Sequence, residues 1–233
     1  MTKTYPAIHP DHFKVLDTSR LREEFLLTPI FDHDNISAFY THYDRLIIGG
    51  VKPVSRPIEL KTLPELKSEY FLQRREMGII NVGDRGTIVA DGVEHILENK
   101  EALYLGRGTK TVIFHPGAGG QPLYYYNSAP AHAMFPTKKV GRGDAEVAEV
   151  GAPETSNHRV IRKLLVNSIV QTCQLQMGLT ELRSGSVWNT MPPHTHDRRM
   201  EVYFYLDLDN NNRVSHFLGT PDETRHIWVN NHE

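Results

Sequence analysis

Most of this chain is built from short apolar runs. Between residues 77 and 127 "MGIINVG", "GTIVADGVEHIL", "EALYLG", "TVIFH" and "PLYYYN" follow one another. Each is rich in β-branched or aromatic residues, and Gly, Pro or an Asp-Gly pair punctuates them. Such runs are too short for helices, and their composition suits a pleated, half-buried surface. Asp91-Gly92 has the residue pair of a tight hairpin turn. Upstream, "ISAFYTHYDRLIIGG" alternates and ends in paired glycines. Downstream, "TCQLQMGLTEL", "SVWNTM", "MEVYFYLDL", "RVSHFLG" and "HIWVN" repeat the pattern. One early segment, residues 17–27, reads as a helix: Asp17 can cap it, Leu21 and Phe25 share a face, and Pro29 closes it. The chain is therefore expected to be all-β, in sandwiches or barrels, with a short N-terminal helix.

Residues 129–154 break the strand pattern. Pro130, Pro136, Gly141, Gly143, Gly151 and Pro153 crowd this stretch, which reads as a linker. It divides the chain into an N-terminal barrel over residues 1–128 and a C-terminal barrel over 155–233. The two parts resemble each other: "RREMGIINVGDRG" matches "RRMEVYFYLDLDN", with Glu76 on Glu201 and Arg74 on Arg199. In that register Glu69 and Phe71 stand where His194 and His196 stand later, so no metal is expected in the first half. Arg74, Arg75 and Glu76 read there as an internal salt-bridge cluster. Completing the second copy by comparison with the first needs roughly two more strands, so the second barrel reads as C-terminally truncated.

Composition narrows the function classes. The chain has 233 residues, 39% hydrophobic and 23% charged, with a formal net charge of -2. That is ordinary globular composition, with no basic stripe for nucleic acid and no polybasic patch for a membrane surface. The single cysteine, Cys173, fits a reducing compartment. No run approaches a membrane span and the N-terminus lacks an apolar signal core, so a cytoplasmic location is expected.

The chemistry concentrates in "MPPHTHDRRMEVYFY". On a strand, residues i and i+2 point to one side, so His194 and His196 project together. Pro192 and Pro193 mark the strand entry, where proline is tolerated. Residues 197–200 can turn the chain so that Glu201 returns on the neighbouring strand. Two imidazoles and a carboxylate suit zinc, iron, manganese or nickel, and geometry alone does not choose among them.

His194-x-His196-x4-Glu201, with Gly185 upstream, resembles the first metal motif of the cupins. "FYTHYDRLIIGGVKP", "YFLQRREMGIINVGDRGTI", "YYYNSAPAHAMFPTKKV", "QLQMGLTELRSGSVWNTMPPHTHDRRMEVYFY" and "GTPDETRHIWVNN" extend the likeness over almost the whole chain. They resemble the 5-keto-4-deoxyuronate isomerases, also called 4-deoxy-L-threo-5-hexosulose-uronate ketol-isomerases. The resemblance implies a bicupin of two jelly-roll-type β-barrels with one Zn(2+) per subunit in the C-terminal barrel. Its ligands would be His194, His196, Glu201 and a fourth histidine beyond residue 233; His216, His226 and His232 sit in no convincing second motif. It further implies a homohexamer that converts 5-dehydro-4-deoxy-D-glucuronate to 3-deoxy-D-glycero-2,5-hexodiulosonate in pectin catabolism. An iron-dependent cupin dioxygenase and a non-catalytic sugar-binding cupin are the rival readings of the same triad.

An aldose–ketose isomerase needs a polarised carbonyl and a group that moves a proton between adjacent carbons. If Glu201 points inward, strand parity sends Arg199, Tyr203 and Tyr205 the same way. Arg199 is then a candidate for the substrate carboxylate, or a structural ion-pair residue like Arg74. Tyr203 is a candidate substrate contact, and both tyrosines are equally at home in a barrel core. Glu223 in "PDETRH" is the candidate proton-transfer base. Arg159, Arg162 and Lys163, with Lys138 and Lys139, read as solvated surface.

Overall fold

The computed structural model describes residues 2–190, 194–197 and 199–233. Its strands are β1 (Thr2–Tyr5), β2 (Ile36–Thr41), β3 (Ile47–Val51), β4 (Ile58–Glu59), β5 (Arg75–Asn81), β6 (Gly86–Ala90), β7 (Val93–Leu97), β8 (Ala102–Leu105), β9 (Val112–Phe114), β10 (Tyr124–Pro130), β11 (Lys138–Val140), β12 (Glu146–Val150), β13 (Arg159–Leu165), β14 (Met177–Leu182), β15 (Val214–Leu218) and β16 (Arg225–Val229). Helix α1 (Pro10–Phe13) was not anticipated, and α2 (Thr18–Phe25) was. The Asp17 carboxylate caps α2 by accepting from the Arg20 N–H at 2.8 Å, satisfying one of the donors a helix start leaves open. The chain is mostly β-sheet, as expected.

A seven-stranded sheet, β1-β2-β3-β10-β5-β8-β11, faces a four-stranded sheet, β4-β9-β6-β7. The turn between β6 and β7 is Asp91-Gly92, both at positive φ, the conformation that Asp-Gly pairs favour. Between the sheets lie Ile47, Met77, Ile79, Leu103, Phe114, Tyr124 and Tyr126. Strand β5 is buried at every position, which a strand sandwiched on both faces requires. Its alternate residues therefore have different neighbours. Met77 and Ile79 enter the inter-sheet core, while Ile80 joins Tyr104, Tyr125, Leu165, Leu175 and Met177 on the opposite face.

That opposite face carries the second half of the chain. A β12-β13-β14 sheet and a β15-β16 hairpin make up its ladders. Gly78 on β5 permits the contact: a Cβ there would lie 2.4 Å from Met177 Sδ and 2.5 Å from Leu165 Cδ1. Glu76, also on β5 and fully buried, fixes the contact chemically. Its Oε1 accepts from the N–H groups of Gln174 and Leu175 at 2.7 and 2.9 Å. Its Oε2 accepts from the Cys173 N–H and the Tyr104 hydroxyl, each at 2.7 Å. Burial, with the adjoining Glu76 carboxylate, holds the Tyr104 phenol above its ordinary range, so it stays a donor.

One expectation is extended here and one corrected. Residues 129–154 are more than a connection: β11 extends the large sheet beside β8, and β12 pairs with β13. Both strands are short and polar at the edge of a sheet, so composition concealed them. The expected Arg74-Arg75-Glu76 salt-bridge cluster is replaced by main-chain partners. Arg74 donates to the carbonyls of Leu66 and Lys67, and buried Arg75 donates to Ser128 and to the Arg45 carbonyl. The basic residues near β13 are paired within the chain, Arg162 with Glu181 at 2.8 Å and Lys163 with Glu146.

Candidate active site

The "MEVYFY" segment was expected as a strand. Among the described residues 199–206 no ladder forms, yet the alternation of more and less exposed positions survives over 199–204. Met200, Val202, Phe204 and Leu206 pack against the face of the large sheet opposite the inter-sheet core. Phe204 stacks on Tyr125 with ring centroids 4.5 Å apart and planes within 10°. Burying these side chains turns Arg199, Glu201, Tyr203 and Tyr205 to the opposite side, the parity the sequence predicted. Tyr205 ties the segment down through N–H to the Glu233 carbonyl and C=O to the His232 N–H, at 2.9 and 2.7 Å.

His196 and Glu201 meet on that side, with the His194 ring beside His196. The imidazoles stand perpendicular, centroids 5.0 Å apart. His196 Nε2 is 2.8 Å from Glu201 Oε1, with their side chains 29% and 34% exposed, so the cluster opens to solvent. Arg199 Nη2 lies 3.1 Å from Glu201 Oε1 and 3.2 Å from His196 Nε2, a cationic group between the two atoms. Tyr203 donates its hydroxyl to Glu201 Oε2 at 3.0 Å, fixing the outer oxygen of the carboxylate. Burial, then the Glu201 carboxylate, raises the Tyr203 phenol.

Ligands held about 2.0–2.1 Å from a tetrahedral ion stand about 3.3 Å apart, so His196 and Glu201 are within about half an ångström of a ligand pair's spacing. The donor chemistry fits a divalent ion. His196, Glu201 and Arg199 nevertheless form a hydrogen-bonded cluster with the His194 ring beside it, and among the described residues no group of three His, Cys, Asp or Glu is arranged to hold a metal. The proline pair expected at the strand entry, Pro192 and Pro193, lies outside the described residues.

Glu223 is not part of this cluster. It sits between β15 and β16 and pairs with Arg225 at 3.2 Å, whose guanidinium also reaches the Lys14 carbonyl. The three later histidines separate clearly. His226 lies beside Trp228 and Phe217 on the outer face of the hairpin, and His232 stacks on Phe204. His216 points inward, its Nδ1 2.7 Å from the Tyr205 hydroxyl and its ring 5.2 Å from that of Tyr203. Burial lowers the His216 imidazole below its ordinary value and raises the Tyr205 phenol, so both favour the neutral form. Glu201, Tyr203, Tyr205 and His216 all line a cavity of about 160 Å³.

A family model described as the KduI/IolB family matches residues 55–228. The chain belongs to the KduI/IolB family. A protein of Formosa agariphila named 4-deoxy-L-threo-5-hexosulose-uronate ketol-isomerase is 51% identical over 228 residues, 97% of this chain and 81% of the relative. Proteins of the same name from Bacteroides fragilis and Yersinia pestis are each 49% identical, over 96% and 97% of this chain and 80% and 83% of theirs. A crystal structure of an IolB-like protein from Salmonella typhimurium has a TM-score of 0.61 at 14% identity, covering 80% of this chain and 73% of that one. At that identity the likeness concerns the fold. The KduI/IolB match contains both the Glu76 anchor and the whole histidine–glutamate cluster.

Proposed function

We propose that this KduI/IolB chain is a 4-deoxy-L-threo-5-hexosulose-uronate ketol-isomerase, moving a carbonyl between adjacent carbons of a keto-uronate. The product would be 3-deoxy-D-glycero-2,5-hexodiulosonate. What supports the reading is identity of about one half to proteins of that name, together with the His196–Glu201 contact, the His194 ring beside His196 and the cavity that Glu201 lines. The reading includes zinc as the ion, two cupin-like halves over 1–128 and 155–233 joined through 129–154, a homohexamer and a cytoplasmic setting. The motif resemblance supports the ion, the two halves and the hexamer, and the single cysteine supports the setting.

His194, His196 and Glu201 would hold the ion. When bound, zinc supplies Lewis-acid polarisation of a carbonyl oxygen and no redox chemistry, which suits an isomerisation. The chain's own residues supply the rest. Tyr203 orients the Glu201 carboxylate through Oε2, leaving Oε1 toward His196. Arg199, exposed at the mouth of the cluster, offers a planar fork to the substrate carboxylate.

The test is metal content measured beside turnover. The wild-type chain should copurify with zinc, and His194→Ala should lose both zinc and isomerase activity. A His194→Ala protein with wild-type metal content would overturn the assignment.

A further inference from the structure

Hairpin β15-β16 has two unlike faces. Phe217, His226 and Trp228 lie outward, whereas Leu218, Ile227 and Val229 turn to the cavity and the apolar cluster around Leu21 and Leu26. His216 pairs across the ladder with Ile227 and so occupies this inner, otherwise apolar face. A side chain chosen for packing alone would be aliphatic there. Its Nδ1 is engaged by Tyr205. Its Nε2 is neither hydrogen-bonded among the described residues nor among their sealed, unpartnered atoms. One edge of the imidazole is therefore anchored, and the other is available to whatever enters the space that Glu201 also lines.

We propose that His216 is the proton-transfer residue of the isomerisation, positioned by Tyr205. This deepens the isomerase reading and rests on it. With Nδ1–H donating to the Tyr205 oxygen, Nε2 presents its lone pair to the cavity. The C2–H bond of the aldehyde substrate breaks; its proton goes to Nε2, its electron pair becomes the C1=C2 bond, and the aldehyde π pair moves to O1. Nε2 then returns the proton to C1 as the C1=C2 pair becomes the new C1–H bond. The O2–H pair becomes the C2=O bond while that proton passes to O1. Atoms and electrons balance within the substrate, and no oxidant or reductant enters. Glu223, held by Arg225 outside the cavity, is displaced from this role.

The experiment uses the purified zinc-loaded chain and 4-deoxy-L-threo-5-hexosulose-uronate in D2O. Wild type should turn the substrate over and place deuterium at C6 of the product, the carbon that is the aldehyde C1 of the substrate. His216→Gln should retain zinc and a wild-type circular dichroism spectrum, lose about 10²–10⁴-fold in kcat with KM within about threefold, and stop deuterium incorporation. Added imidazole should restore part of the activity of His216→Ala, a result that a packing role would not produce. Tyr205→Phe, which removes only the anchoring hydroxyl, should fall between wild type and His216→Gln. An active wild type beside an unimpaired His216→Gln would overturn this inference alone. Zinc loss in His216→Gln would also overturn it, making His216 a ligand instead. A zinc-loaded wild type that does not turn over the uronate would overturn the isomerase reading and this inference with it.

Discussion

Among the described residues the fully buried carboxylate is Glu76, not Glu201. Three main-chain N–H groups and one phenol donate to it, and no solvent reaches it. Glu76→Gln keeps the shape but turns an NH2 toward donors, leaving at least one buried N–H without an acceptor. The expected cost is about 2–4 kcal/mol in urea unfolding; a loss below about 0.5 kcal/mol would mean that water replaces the carboxylate oxygen. The sequence showed Glu76 as the counterpart of Glu201, but could not show its task. Its partners are backbone groups at positions 173–175, remote in sequence and indifferent to side-chain identity. The nearness of His194 to His196 was legible from their two-residue spacing, and that of His196 to Glu201 from the turn between them. His216 was not, because its inward position depends on a hairpin register that no motif announces.

At the scale of elements, the first half was readable because turn residues sit where the chain turns: Asp91-Gly92 between β6 and β7 is the clearest case. The segment at 199–206 was half readable. Its period of two was correct, whereas its place in a ladder depended on a partner strand and not on its own residues. The chain settles instead for packing one edge of the alternation on the large sheet. Phe204→Ala should therefore cost about 2 kcal/mol in thermal unfolding, by losing the Tyr125 stack and its apolar area. It should also weaken retention of the proposed zinc ion, measured by chelator competition, since Glu201 and Tyr203 lie on the same segment. Gly78→Ala tests the underlying contact. The added methyl would displace Met177 and Leu165, and a loss of about 1–3 kcal/mol is expected.

For the whole molecule, acid should act where charges join the halves. Arg162, and after it Lys100 from the first half, hold the Glu181 carboxyl below its ordinary 4.5. A carboxylate with a lowered folded pKa contributes stability that is fully present above about 4.5 and is lost as the pH falls through its folded value. Glu181→Gln should flatten the acid limb of the stability curve below about pH 4.5, while changing little at pH 7 beyond the lost pairing. Equal acid slopes for the two proteins in denaturant titrations would discount the Glu181 bridge.

The seven-stranded sheet has no face to spare. Its inner side is occupied by its own barrel-like partner and its other side by the segment that carries the catalytic candidates. The first half of the chain is thus the bench on which the histidine–glutamate segment is clamped, and neither portion could be inherited, exchanged or engineered alone without baring a wide apolar floor to water.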